Sequence, residues 1–244
     1  MDELELPTSR ELVRKAEVRG TLSPLSAKAL QVPSIMDQIE DALEESYGIE
    51  SAGEVLLVTL MPDDSGSMAG RKAESVRTGH NELLEAFLQS SSRNKILLQT
   101  RYLNTTLLNP FQPLGLCLQM KEDNYPCVFG TPLSSQTIVT LGTVLVKAEE
   151  LRAQGAGRVR SATLIMTDGE ADIGPEVASI VSDMRRVGDH IVAGMGFSEN
   201  GRLFPNVFAA MGIDDQFIFT ASSREEILRA FRVFTTEALA LTRG

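Results

Sequence analysis

From residue 53 onward the chain alternates short apolar runs with amphipathic stretches of helical period. The first run, Val55 to Met61, reads as a buried strand over 54–61. A helix over 69–89 follows, with Ala73, Val76, Leu83, Leu84, Phe87 and Leu88 on one face. Lys95–Tyr102 predicts a second strand. The stretch 104–130 carries Pro110, Pro113 and Pro126 and is expected to hold one more strand or a hairpin. Then come a helix over 134–152, a buried strand over 161–167 and a helix over 175–187. A strand over 191–197, a short helix over 202–211, a strand over 216–220 and a closing helix over 222–242 complete the series. Strands alternating with helices predict an α/β fold: a doubly wound, Rossmann-like, mainly parallel sheet with helices on both faces.

The first fifty residues have a different texture. Two helical patches, 9–18 and 34–46, are expected, the second because Ile35, Ile39 and Leu43 recur four apart. Tyr47-Gly48 reads as its stop, and no firm period runs from Gly20 to Pro33. The chain thus divides into a partly helical N-terminal extension, 1–52, and an α/β domain, 53–244. Residues 1–50 carry 11 Asp+Glu against 5 Lys+Arg, which is -6 of the formal net charge of -10. The extension is expected to be a structural cap on the sheet edge, the alternative being that an acid such as Glu44 or Glu45 reaches the functional site.

Composition narrows the function classes. An acidic chain repels phosphate backbones, so nucleic acid is a poor partner. No apolar run is long enough to span a membrane. The acidic start Met1-Asp2-Glu3-Leu4-Glu5 has no apolar stretch after it, so a cytoplasmic setting is expected. Cys117 and Cys127 lack metal-type or redox-type spacing and read as free thiols. His80 falls on the apolar face of its helix and is expected in the core, while His190 is expected at the surface.

Candidate chemistry collects where strands end, the place where open α/β sheets put their sites. Asp63-Asp64-Ser65-Gly66-Ser67-Met68 follows the first strand and offers a carboxylate and two hydroxyls at alternate positions. Gly130-Thr131-Pro132-Leu133 enters a helix, and Thr167-Asp168-Gly169 ends the strand from 161. Each segment alone also suits a turn or helix cap. Together they gather oxygen ligands of the kind a hard divalent cation takes. Gly66 reads as the residue that permits a tight path between the serines. The middle residue, Asp64, is expected to point to solvent, and Glu170 and Asp172 to be solvated or capping.

In these segments the chain resembles the von Willebrand factor A (vWA, integrin I-like) domains that bear a metal-ion-dependent adhesion site (MIDAS). The motif residues match Asp63, Ser65, Ser67, Thr131 and Asp168, and the likeness spans about 53–241. The resemblance implies that Ser65 and Ser67 ligate Mg2+, with Mn2+ or Ca2+ as alternatives. Thr131 would ligate directly or through water, and Asp63 and Asp168 would act mainly through waters or by orienting the hydroxyls. It implies a protein partner that supplies an acidic side chain to the ion, and no catalysis. In bacteria and archaea it points to an adaptor or regulator beside an AAA+ ATPase, a kinase or similar machinery. Pro62 departs from the family pattern, where the apolar strand often continues. So does the extra charge of Asp64.

Two other functions fit the same residues less well. A metal-dependent phosphoryl-transfer or hydrolytic enzyme would need a base or a cation near the loops, and none can be placed from the sequence. An extracellular adhesion domain would use the same site but needs an export signal. Ser65 lacks the nucleophile elbow of hydrolases. There is no phosphate loop and no dinucleotide fingerprint, and Gly194-Met195-Gly196 reads as close packing at a strand end.

Overall fold

The computed structural model describes residues 7–48, 53–128, 130, 132–169, 171–197 and 207–242. Its strands are β1 (Glu54–Pro62), β2 (Ile96–Arg101), β3 (Leu107–Pro113), β4 (Arg158–Thr167), β5 (His190–Phe197) and β6 (Ile218–Ala221). They form one six-stranded sheet in the order β3-β2-β1-β4-β5-β6. Every pairing is parallel except that of β3 with β2. The doubly wound α/β fold expected from the alternation is therefore the fold of the chain. The irregular stretch supplies the antiparallel edge strand, where Pro110 and Pro113 are tolerated.

Strand alternation sorts the core into two layers. Along β1, Val55, Leu57 and Met61 enter one apolar cluster and Leu56, Val58 and Leu60 the other. The second layer is covered by α4 (Arg71–Leu88) and α8 (Arg224–Ala240). These two helices meet where a Cβ on Gly79 would lie 2.2 Å from the Phe231 ring. The first layer is covered by α5 (Leu133–Ala153) and α6 (Pro175–Val187), with α7 (Val207–Ala210) beside them. Glycine 194 is close-packed as expected, since its Cβ would meet the Phe208 ring at 2.4 Å.

Helix α5 is apolar around most of its circumference, which a helix covering one sheet face does not need. The extension explains it. Helices α1 (Ser9–Val18), α2 (Pro24–Leu30) and α3 (Pro33–Glu44) lie over α5 and α6 as a further layer. A Cβ on Gly142 of α5 would stand 2.6 Å from both Ile39 and Leu30, so the layers interlock there. Polar ties close the seam. Asp183 of α6 accepts from the Ser23 N–H and the Ser26 hydroxyl, each at 2.7 Å. The fully buried Lys147 donates to Ser46 Oγ at 2.8 Å and Glu150 Oε1 at 3.1 Å, and burial pulls its pKa down. The cap therefore sits chiefly on helices. It reaches the sheet edge at β3, where the Tyr47 N–H donates to the Phe111 carbonyl at 2.7 Å. Glu44 and Glu45 are exposed.

Helix α2 was not expected from the sequence, being only seven residues long. Strand β4 begins at Arg158 rather than 161, because Arg158 and Arg160 pair with Asp189 and Glu54 and so look polar while lying in the ladder. Of the helix expected over 202–211, only Val207–Ala210 falls within the described residues. His80 is buried as expected, but so is His190, at 8% exposure, because α1 and α5 close over the start of β5. Both cysteines are free, and burial raises their thiols, Cys117 to about 12 and Cys127 to about 11. Among the described residues no helix is long and apolar enough to cross a membrane.

Candidate metal centre

The site is built on the junction of β1 and β4. Their parallel ladder runs one step past Pro62, with the Asp63 N–H donating to the Met166 carbonyl at 2.9 Å. That step sets Asp63 beside Thr167, whose hydroxyl donates to Asp63 Oδ2 at 2.6 Å. The Ser65 N–H donates to Asp63 Oδ1 at 2.8 Å. The Tyr125 hydroxyl donates to the Asp63 carbonyl. Asp63 is fully buried, and both its carboxylate oxygens are engaged in shaping the loop.

Beyond it the hydroxyls converge. Ser65 Oγ and Ser67 Oγ lie 3.0 Å apart, and Ser67 donates to Asp168 Oδ1 at 2.7 Å. Ser65 is 4% exposed and Ser67 exposed, so the set opens outward at Ser67. Met68, fully buried in the α4/α8 layer, pins the end of the loop. Gly66 does not have the steric role expected of it: a Cβ there would meet nothing within 4 Å. The glycine the turn requires is Gly70, at φ +80° immediately before α4.

Of the five motif residues Thr131 alone lies outside the described residues, as does the neighbouring acid Glu170. Asp172 is exposed, as expected. The flanks of Thr131 are tied in. Asn104 donates through Nδ2 to the Gly130 carbonyl and to Asp64 Oδ1, both at 2.9 Å, and its N–H also reaches Asp64 Oδ1 at 3.1 Å. Asp64 therefore does not point to solvent. It is fully buried, its Oδ2 has no partner among the described residues, and burial raises its pKa against the opposing pull of Asn104. Its task is to hold the first loop to the chain that leads into α5. Of the five motif residues, the structure brings Asp63, Ser65, Ser67 and Asp168 together.

A residue the sequence did not flag completes the cluster. Lys72, in the first turn of α4, donates from Nζ to Asp168 Oδ2 at 2.6 Å and to the Ser67 carbonyl at 3.3 Å. Its side chain also lines a cleft of about 610 Å³ between the starts of α4 and α8. The signal available was a lone cation nine positions after Asp63 and one after Arg71, which is an ordinary exposed pattern.

The donor set can be tested against a metal on its chemistry. Among the described residues no group of three or more His, Cys, Asp or Glu side chains gathers. What gathers instead is hydroxyl and carboxylate oxygen, suited to Mg2+ and its hard relatives. Two oxygens bound at adjacent octahedral positions, each about 2.0–2.1 Å from Mg2+, lie about 2.9 Å apart. The Ser65–Ser67 spacing of 3.0 Å fits.

No protein-family model matches the chain. A curated relative, an anthranilate phosphoribosyltransferase of Listeria innocua, is 36% identical over 101 residues, which is 41% of this chain. The chain spans only 29% of that relative's length. In fold, it overlays the pilus adhesin SpaC of Lactobacillus rhamnosus GG with a TM-score of 0.55 and 12% identity, over 80% of this chain and 32% of the adhesin. Proximal thread matrix protein 1 of the mussel byssus overlays with a TM-score of 0.51 and 14% identity, over 78% of this chain and 48% of that one. A VWA domain of SpRpn10 overlaps more loosely, with a TM-score of 0.48 and 8% identity, over 72% of this chain and 93% of the domain. Identities this low establish fold alone: a doubly wound, Rossmann-like sheet shared with the adhesin and the byssus protein, the fold that the resemblance to vWA domains implies.

Proposed function

We propose that the chain is a vWA-type protein-interaction module that binds its partner through a divalent ion, Mg2+ foremost. The observation that carries this is the convergence of Ser65 Oγ, Ser67 Oγ and the Asp168 carboxylate within 3.0 and 2.7 Å of one another at the end of β1 and β4. Ser65 and Ser67 would hold the ion with Thr131. Asp63 braces the loop through Ser65 and Thr167, and Asp168 orients the Ser67 hydroxyl. When bound, the ion supplies a strong electrostatic acceptor for one carboxylate of a partner. The neutral hydroxyls leave most of its charge uncancelled, and Ser67 faces outward so that the partner can approach. Ca2+ takes more ligands, and more carboxylates, than this set offers.

Neither histidine stands by the loops to act as a base. His80 bonds to Thr100 at 2.9 Å and His190 to Ser161 at 2.8 Å, both inside the core. Lys72 does place a cation beside the loops, 2.6 Å from Asp168 Oδ2, so it is the lack of a histidine base there that favours binding over hydrolysis or phosphoryl transfer. A cytoplasmic adaptor beside an ATPase or kinase is the setting we favour. The pilus adhesin's shared fold supports a second reading, adhesion outside the cell, with the same site and a different location. The test is a Mn2+ titration of the full chain, followed by affinity capture from the native extract with Mg2+ and with EDTA. One Mn2+ site, lost in Ser65→Ala and Asp63→Ala, and capture that EDTA abolishes are expected. Partners retained equally with EDTA and with Ser65→Ala would sink the reading.

A further inference from the structure

Asp168 is shared between two donors, one of them a cation. Its Oδ1 receives the Ser67 hydroxyl at 2.7 Å, and its Oδ2 receives the Lys72 ammonium at 2.6 Å. The Lys72 side chain is 18% exposed and that of Asp168 2%, so the pair is screened far less than a surface bridge. The same ammonium reaches the Ser67 carbonyl at 3.3 Å. Both of these acceptors belong to residues of the metal set.

We propose that Lys72 is a tethered cation that competes with the divalent ion for Asp168 and so sets the metal affinity of the site. This rests on the metal reading above and deepens it. The ammonium neutralises Asp168, which weakens that carboxylate's attraction for an ion at the serines. Its own charge also repels the ion at short range through a poorly screened medium. Holding the ion therefore means either tolerating that repulsion or moving the ammonium away. The second course is open, because the Lys72 side chain borders the cleft between α4 and α8, whose rim carries Glu225 along with Arg71 and an Arg224–Glu74 ion pair at 3.0 Å. A flexible four-carbon stem can carry the ammonium there without moving the helix. The domain then has two arrangements, ammonium on Asp168 or ion at the serines, and any carboxylate that draws Lys72 into the cleft favours the second.

The test measures Mn2+ dissociation constants of the full chain by titration calorimetry, with free Mn2+ followed by electron paramagnetic resonance. Lys72→Met should bind Mn2+ about tenfold or more tightly than the wild type, and Lys72→Arg, which keeps the charge, within about threefold of it. Lys72→Gln repeats the charge removal with a polar side chain, should the apolar variant fold poorly. Thermal unfolding in EDTA checks that each variant is native. If Lys72→Met and Lys72→Gln bind Mn2+ no more tightly than a wild type that does bind it, Lys72 only positions Asp168 and the proposal fails alone. If wild type and variants all fail to bind Mn2+, the proposal falls together with the metal reading.

Discussion

The two faces of the sheet are finished differently. One is covered twice, by α5 and α6 and then by the extension, while the other is covered once, by α4 and α8, and keeps the cleft and Lys72 at its upper end. Gly142 of α5 receives Ile39 and Leu30 of the second cover, whereas Gly79 of α4 receives Phe231 of its own neighbour α8. The contrast separates two tasks. The doubly covered face concentrates burial and anchors the frame, and the singly covered face leaves room around the Ser65–Ser67 loop.

The largest expected effect comes from stripping the second cover. Removing residues 1–48 would expose the outer side of α5 and leave the Lys147 ammonium with Glu150 but without Ser46, and the product should be unfolded or aggregated by circular dichroism and size-exclusion chromatography. A soluble, cooperatively unfolding truncate would show that the extension is an accessory.

Acid should act on both faces, since each buries one histidine. Burial holds His80 and His190 near a pKa of about 4, against an ordinary 6.5. The folded chain thus keeps both neutral while the unfolded chain protonates first as pH falls. Their contribution is complete above pH 6.5 and is lost between 6.5 and about 4, by roughly 3 kcal/mol for each. Urea unfolding at pH 7 and pH 4.5 measures it. His80→Gln and His190→Gln should each flatten the profile, and a profile unchanged in one of them would exempt that face.

A smaller change sharpens the division of labour. Ile39→Ala should cost about 2–5 kcal/mol of stability by opening a cavity over α5, with Mn2+ affinity unchanged. A parallel loss of Mn2+ binding would mean that the cover also shapes the loops. The smallest effect is expected in the sheet itself. Gln99, Thr59 and Thr163 stand side by side in β2, β1 and β4 on the α5 face, and neither threonine hydroxyl has a partner among the described residues. Thr163→Val should leave stability unchanged or raise it by about 1 kcal/mol, read from the urea midpoint. A loss above that would reveal a bond the hydroxyl makes.

The same contrast shows what was legible in the sequence. The sheet and its main helices were readable because parallel strands buried on both sides are continuous apolar runs. The double cover was also written in α5, whose apolar residues exceed one stripe, but period alone does not say what lies on the second side. At the site, the approach of Asp63, Ser65, Ser67 and Asp168 to one another was readable because the ends of neighbouring parallel strands bring such loops together. The burial of Asp64 was not, because its partner Asn104 is forty positions away. Nor was Lys72, since a cation in the first turn of a helix looks like any solvated one. Gly66 misled in the opposite way, having the residue type of a tight turn without its geometry.

The Ser67–Asp168 bond joins positions 101 apart, across β2, β3, α4 and α5. Contacts so distant along the chain close slowly, after local helices have formed. The cluster is therefore among the last features to appear during refolding, and the growth of Mn2+ binding should trail the recovery of helical signal. On the ribosome, a nascent chain lacks the ion's full set of oxygens until β4 has emerged and inserted beside β1. Competence to bind would then be acquired only by a molecule whose frame is already finished.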